Sequence, residues 1–251
     1  MSDILTRLEQ GVMTLTLNRP AKKNALTKAM YDDLTAGLIQ AGRDDAVHVV
    51  IIAAEGPDFC SGNDIGDFAQ DLPILLDPET RLEDMPVYRF LKALIFFEKP
   101  LIAAIQGQAA GVGVTLLLHC DLVVAADDIR LSLPFLKLGL VPEAGSTLLL
   151  PQRIGHARAF AWMALGEVIG AEEALRLGLL NAVVAREHVE NRARSLADPL
   201  LALSASALRH TKRLMRDPNA LWQVVGDEGV IFREQLTSPQ TQAAFMAFLS
   251  R

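Results

Sequence analysis

Apolar and polar residues alternate through Val12-Met13-Thr14-Leu15-Thr16-Leu17, the two-residue period of a half-buried strand, and Asn18-Arg19-Pro20 ends it. From Lys28 to Ala41 the apolar positions recur at helical spacing, so a helix is predicted there. Val47–Ala54 is a continuous apolar, β-branched run, as expected of a strand buried on both faces. Leu101–Ile105 and Leu122–Ala126 are shorter runs of the same kind. Strands and helices alternating through short connections predict a layered α/β fold. Asp67–Glu83 departs from this pattern: Pro73, Pro78 and acidic residues interrupt any period, so the segment reads as a mobile loop or irregular helix. Ile154–Leu177 reads as helix with a turn and restart at Gly170–Ala174. Beyond Glu187 the chain is nearly all helix to Arg251, broken at Asp217-Pro218-Asn219 and Thr237-Ser238-Pro239. The expected division is an α/β core over 1–190 and a C-terminal helical region over 191–251.

A chain of 251 residues with 51% hydrophobic content can bury one large core. The net charge of −6 offers no basic face for nucleic acid, so none is expected as a partner. Cys60 and Cys120 lack CxxC spacing, which argues against a zinc site or disulfide framework and for a reducing compartment. The first ten residues have no apolar core of a secretory signal, and the apolar runs fall short of the ~20 residues of a membrane span. A cytoplasmic protein with no membrane partner and no metal is the expectation.

Candidate chemistry lies in two glycine-containing loops. Phe59-Cys60-Ser61-Gly62-Asn63-Asp64-Ile65 is one; Gln108-Ala109-Ala110-Gly111-Val112-Gly113-Val114-Thr115-Leu116, opening an apolar helix, is the other. A glycine-studded helix start leaves backbone N–H groups unpaired, and two such groups from two loops are what an oxyanion hole requires.

Taken with Leu17-Asn18-Arg19-Pro20, Asn24-Ala25-Leu26, Leu138–Ser146, Ala171–Asn181 and a tail ending Ala247-Phe248-Leu249, the two loops resemble, in order, the signatures of the crotonase (enoyl-CoA hydratase/isomerase) superfamily. The resemblance implies a spiral of repeated β-β-α units whose C-terminal helices assemble a homotrimer or a hexamer made of two trimers. It implies an acyl-CoA thioester as ligand, with no cofactor beyond the CoA moiety. The thioester oxygen would lie between the N–H groups of Asn63 and Val112, the latter a position where many members carry glycine. The CoA would run along Arg19–Leu26, touching Ala25, with Lys22 or Lys23 near its phosphates. Ser61, Asn63, Asp64, Ile65 and Gly111 would border the rest of it. Phe68, Leu72, Leu75 and Phe90 would meet the acyl tail, with Thr115 and Phe135 nearer the reacting carbons.

The resemblance also shows a departure. Hydratases of this superfamily use two glutamates, and this chain has Thr115 and Phe135 at those positions. Hydration by two carboxylates is therefore disfavoured, and Thr115 could at most orient a water. Glu143, in Pro142-Glu143-Ala144-Gly145, resembles the single base of peroxisomal-type Δ3,Δ2-enoyl-CoA isomerases. A lone Glu after Pro also reads as a solvated or helix-capping carboxylate. Beside Phe135 it would be shielded from water, with its pKa raised. His119 is expected to be a satisfied core histidine, Cys60 a packing residue and Asp64 a structural hydrogen-bonding group. The expected activity is Δ3,Δ2-enoyl-CoA isomerisation. The alternatives are hydration by an unusual route, isomerisation of a ring-derived acyl-CoA, and a non-catalytic acyl-CoA-binding subunit.

Overall fold

The computed structural model describes residues 2–249, and side chains through 244. Strands β1 (Ile4–Glu9), β2 (Val12–Leu17), β3 (Val49–Ala54), β4 (Leu101–Ile105), β5 (Gln108–Ala110), β6 (Leu122–Ala126), β7 (Arg130–Ser132), β8 (Val168–Gly170) and β9 (Ala182–Val184) form two sheets. The larger has the order β1-β2-β3-β4-β6-β9, with β1 antiparallel to β2 and the other neighbours parallel. The smaller is β5-β7-β8. β4 and β6 each lie in the large sheet, and the strand that follows each, β5 or β7, lies in the small one. Parallel bridges Leu26–Asn63 and Cys60–Ala109 continue the ladder ahead of the β5–β7 pairing. This is the expected spiral of β-β-α units.

The helices are α1 (Lys28–Arg43), α2 (Ile65–Leu76), α3 (Pro86–Ile95), α4 (Val112–Thr115), α5 (Ser146–Ile154), α6 (His156–Leu165), α7 (Ala171–Arg176), α8 (Val189–Leu201), α9 (Ala205–Leu214), α10 (Pro218–Leu236) and α11 (Pro239–Leu249). The run predicted as a doubly buried strand is one from Val49, and every residue of β4 is buried. α1 packs on α3 and on β1 and β2, while α8 packs on β3, β4 and β6. The helix that spans residue 190 thus belongs to the core packing, and the expected boundary falls inside it.

Of the two readings of Asp67–Glu83 the helical one holds: α2 fills most of it, started by the Asp64 carboxylate, which accepts from Asp67 N–H at 3.1 Å. Acidic residues on its inner face hid the period, because Asp67 and Asp71 serve as acceptors for Lys28 of α1. The backbone N–H donates to Asp67 (2.9 Å) and Nζ to Asp71 (2.8 Å). Ile154–Leu177 is not one helix with a restart, since α6 ends at Leu165 and β8 intervenes before α7. The short strand pairs with β7, a tertiary contact that its three residues do not announce. The helical tail is present to Leu249; residues 250 and 251 of that expectation lie outside the described residues.

Asn24 pins the N-terminal segment to the rest. It is fully buried, with a left-handed φ of 52°. Its Oδ1 accepts from Arg19 N–H (2.8 Å), and Nδ2 donates to the carbonyls of Glu55 (2.9 Å) and Asp58 (2.8 Å). Asn24→Ala would leave three part-buried backbone groups without this partner, so a loss on the order of 2 kcal/mol is expected in denaturant unfolding. An unchanged midpoint would contradict this account.

Candidate active site

The two glycine-containing loops are stitched together backbone to backbone. Phe59 and Cys60 donate N–H to the Gln108 carbonyl (3.0 and 3.1 Å), and Ala110 N–H donates to the Cys60 carbonyl (2.9 Å). Gly113 permits the close approach: a Cβ there would sit 2.5 Å from the Cys60 carbonyl oxygen. The N–H groups of Asn63 and Val112 have no acceptor among the described residues. Val112 is the first residue of α4, where intrahelical partners are lacking by geometry.

Asn63 and Val112 line one cleft of about 450 Å³, together with Ser61, Ile65, Gly111 and Phe135. A smaller inner cavity of about 80 Å³ adjoins it, walled by Tyr31, Phe68, Leu75, Met85, Tyr88 and Leu91. Asn63, Phe68, Glu143 and Phe232 line both spaces. Glu143 is therefore no solvated loop carboxylate; it stands at the junction of cleft and cavity.

Glu143 is partly buried, and its Oε1 accepts the Thr115 hydroxyl at 2.8 Å. Burial pushes its carboxyl up to about 8; the Thr115 hydrogen bond opposes that and the nearby Glu228 carboxylate adds to it. Behind it, His119 Nε2 donates to the Ala144 carbonyl (2.7 Å) while Nδ1 accepts from Arg216 (2.7 Å). Arg216 can only donate, which fixes the Nε2–H tautomer. Burial and Arg216 hold the His119 pKa down to about 3, so the imidazole is neutral. It is a satisfied core histidine, as expected, and it braces the residue after Glu143. Cys60 is fully buried with its thiol pushed up to about 12 by burial, as suits a packing residue.

Several predicted site residues are placed otherwise than expected. Thr115 is fully buried and lines neither space; its hydroxyl holds Glu143 itself, not a water. Phe90 also lines neither, because it faces α1 and packs on Tyr31 with ring centroids 5.5 Å apart. Leu72 misses the cavity because the wall of α2 is the helical face Asp64, Asp67, Phe68, Asp71 and Leu75, and Leu72 lies off it. Phe68, Leu75 and Phe135 do line the spaces, as do Ser61, Ile65 and Gly111. Asp64 borders the inner cavity but is committed to capping α2 and to Arg19 (2.7 Å). Burial would raise its pKa, yet the Arg19 hydrogen bond and the backbone N–H of Asp67 hold it below the usual range. Lys22, Lys23 and Ala25 lie outside both spaces; Lys22 and Lys23 are exposed, with Lys23 Nζ 3.3 Å from Gln108 Oε1.

Sequence reasoning missed Tyr31, Tyr88 and Phe232 in the walls, and Glu228 behind the Glu143 loop. Tyr31 donates to Asn63 Oδ1 at 2.5 Å and so steadies a residue that lines the cleft. The tyrosines and Phe232 sit at ordinary helix positions, and only the tertiary packing turns them toward the site.

Two N–H donors with no acceptor among the described residues, a carboxylate of raised pKa and a mostly apolar inner cavity come together here, a set of groups that can hold an oxyanion and accept a proton. The sequence matches the enoyl-CoA hydratase/isomerase family over residues 7–249, and the chain belongs to that family as an acyl-CoA-processing member. It is 39% identical over 203 residues to the 1,2-epoxyphenylacetyl-CoA isomerase of Escherichia coli, covering 78% of this chain and 75% of that one. It is 32% identical to enoyl-CoA delta isomerase 2 of Rattus norvegicus, over 99% of this chain and 63% of the rat protein. The structure of Pseudomonas aeruginosa OdaA superposes with a TM-score of 0.93 at 44% identity, over 100% of both chains. Relatives named as hydratases are also similar, so the family does not by itself separate the two reactions.

Proposed function

We propose that this protein is a Δ3,Δ2-enoyl-CoA isomerase that works with Glu143 as its single base. One observation carries the reading: Glu143 lies at the junction of cleft and cavity, and the Thr115 that stands at a hydratase glutamate position is spent on holding it. The thioester oxygen accepts from the N–H groups of Asn63 and Val112. Glu143 takes a proton from C2, the electron pair left there moves onto the thioester oxygen to give a dienolate conjugated with C3=C4, and as the thioester carbonyl re-forms the conjugate acid returns a proton to C4. The double bond then lies between C2 and C3. Each backbone donor contributes about 3 kcal/mol to the dienolate, because it is already aimed where charge develops. Phe135, 7% exposed beside the cleft, keeps out the water that hydration would need. Exposed Leu214 and Met215, at the end of α9 and just beyond it, are apolar surface that the expected self-association, as a trimer or a dimer of trimers, would cover.

The reading is tested by following 3-trans-hexenoyl-CoA to its 2-trans isomer beside hydration of crotonyl-CoA. Isomerisation faster than hydration is expected; the reverse order would favour the hydratase alternative. The base must be unprotonated in the free enzyme. With the Glu143 pKa at about 8, kcat/KM should climb close to tenfold per pH unit up to about 8 and level above it. A profile that is flat between pH 6 and 8 would contradict that assignment.

A further inference from the structure

The turn that presents Glu143 is strained, and its clamp comes from the far end of the chain. Ala144 and Gly145 are both left-handed, with φ of 63° and 71°. Gly145 tolerates this, whereas Ala144 resists it by about 1 kcal/mol. α5 follows at once, and Gly145 offers no side chain to cap it. Its first N–H groups need acceptors from elsewhere. Glu228 of α10, 5% exposed, supplies them. Its Oε2 accepts Gly145 N–H at 2.6 Å, and its Oε1 accepts the N–H and hydroxyl of Thr147 at 3.0 and 2.6 Å. Three donors converging on two oxygens suit a carboxylate, which a helix N-terminus favours. For capping alone a Ser or Asn at the N-cap would suffice, with no charge buried near another carboxylate.

We propose that Glu228 is a positioning residue for the proton transfer, clamping the Ala144–Gly145 turn so that Glu143 stays at the junction of cleft and cavity, and keeping a second negative charge near it. The proposal rests on Glu143 acting as the base. The groups facing Glu143 from the surrounding elements are few. Thr115 of α4 donates to it, and the phenols of Tyr31 (α1) and Tyr88 (α3) lie within electrostatic range, both with pKa raised chiefly by burial. Arg233 of α10 is close enough to oppose that rise at Tyr88. His119, behind the turn, is neutral. Lys28 and the α2 carboxylates Asp64, Asp67 and Asp71 line the inner cavity; Lys28 is paired with Asp71, and Asp64 with Arg19. Glu228 raises the Glu143 pKa, and its own is raised by burial against the pull of its three hydrogen bonds.

The test compares wild type, Glu228→Gln, Glu228→Asp and Glu143→Gln for kcat, KM, the pH profile of kcat/KM and thermal unfolding. Glu228→Gln removes the charge and sets an amide N–H against one backbone donor. It should move the inflection to lower pH by roughly half a unit or more and lower plateau kcat at least about tenfold. KM should stay within about threefold of wild type, since the acyl-CoA contacts are untouched. Glu228→Asp keeps the charge but shortens the reach, so kcat should fall while the inflection stays. Wild-type kcat and inflection in Glu228→Gln overturn the proposal. If that variant does not fold, Glu228→Asp decides: lowered kcat with an unmoved inflection supports the proposal, and unaltered kcat overturns it. Turnover retained in Glu143→Gln overturns the base assignment and this proposal with it. Turnover lost there but kept in Glu228→Gln overturns this proposal alone.

Discussion

Glu143→Gln should lose 3-enoyl-CoA isomerisation by roughly 100- to 10,000-fold, the range for removing a general base, and should at the same time make the protein more stable. The amide is nearly isosteric and still offers an oxygen to the Thr115 hydroxyl. It cannot take a proton from C2, so binding persists while turnover stops. The stability gain has a definite pH dependence. The folded state holds the Glu143 proton to about pH 8, whereas the unfolded chain releases it near its ordinary value of 4.5. Below 4.5 both states are protonated and the carboxyl costs nothing. As pH rises from 4.5 to 8 the folded protein alone must keep the proton or bury the charge, and the penalty grows until it levels above 8. Complete retention of that difference would be about 5 kcal/mol at 1.36 kcal/mol per unit. Because Glu143 is partly reached by solvent, the realised figure should be nearer 2–3 kcal/mol. For a chain of this size that corresponds to about 5–10 °C in Tm. Melting wild type and variant at pH 4.5 and 8.5 checks it: the curves should nearly coincide at the lower pH and separate at the higher. Equal displacement at both would mean that the proton is not involved.

Gly113→Ala should damage the enzyme severely through one methyl group. The new Cβ would meet the Cys60 carbonyl oxygen at 2.5 Å, its Cβ at 2.9 Å and its Sγ at 3.1 Å. These atoms cannot swing aside, because Cys60 is fully buried and its backbone is bonded to Gln108 and Ala110. The loops must part instead, and with them the N–H groups of Asn63 and Val112. Loss of even one well-aimed oxyanion donor lowers kcat by about 100-fold or more, and overpacking adds an instability of about 1–3 kcal/mol. Kinetics on the soluble, folded variant should show kcat falling with KM little changed. A variant with normal kcat would show that the Gly113–Cys60 contact does not set the donor spacing.

Much of the fold and of the site is legible in the amino-acid sequence. The parallel core strands declare themselves because strands buried on both faces are apolar throughout, as in Val49–Ile52 and Leu101–Ile105. The two donor loops stand out because glycines mark the places where backbone must approach backbone. Glu143 stands out because its neighbours carry a family pattern. What stays hidden is whatever depends on tertiary direction. Phe90 and Tyr88 lie on one helix two residues apart, yet the first packs on Tyr31 and the second lines the cavity. They face opposite sides of that helix, and the period does not say which side borders a cavity. α2 reads as irregular because its inward carboxylates, Asp67 and the buried Asp71, answer to Lys28, a partner on another element. Glu228, in Asp227-Glu228-Gly229, looks like any solvated charge of a surface helix, since its partners at Gly145 and Thr147 are more than eighty positions away.

The walls of the inner cavity run from Leu26 to Phe232 along the chain. During synthesis the donor loops leave the ribosome well before α10, and domains complete their folding only when their contacts are available. A nascent chain that has reached α5 carries both loops and the carboxylate, but no Val225, Gly229 or Phe232 to close the container. The inner cavity is therefore complete only once α10 has been made. A truncated product that kept the loops but lost α10 would hold the groups of the proposed mechanism with nothing to shelter them.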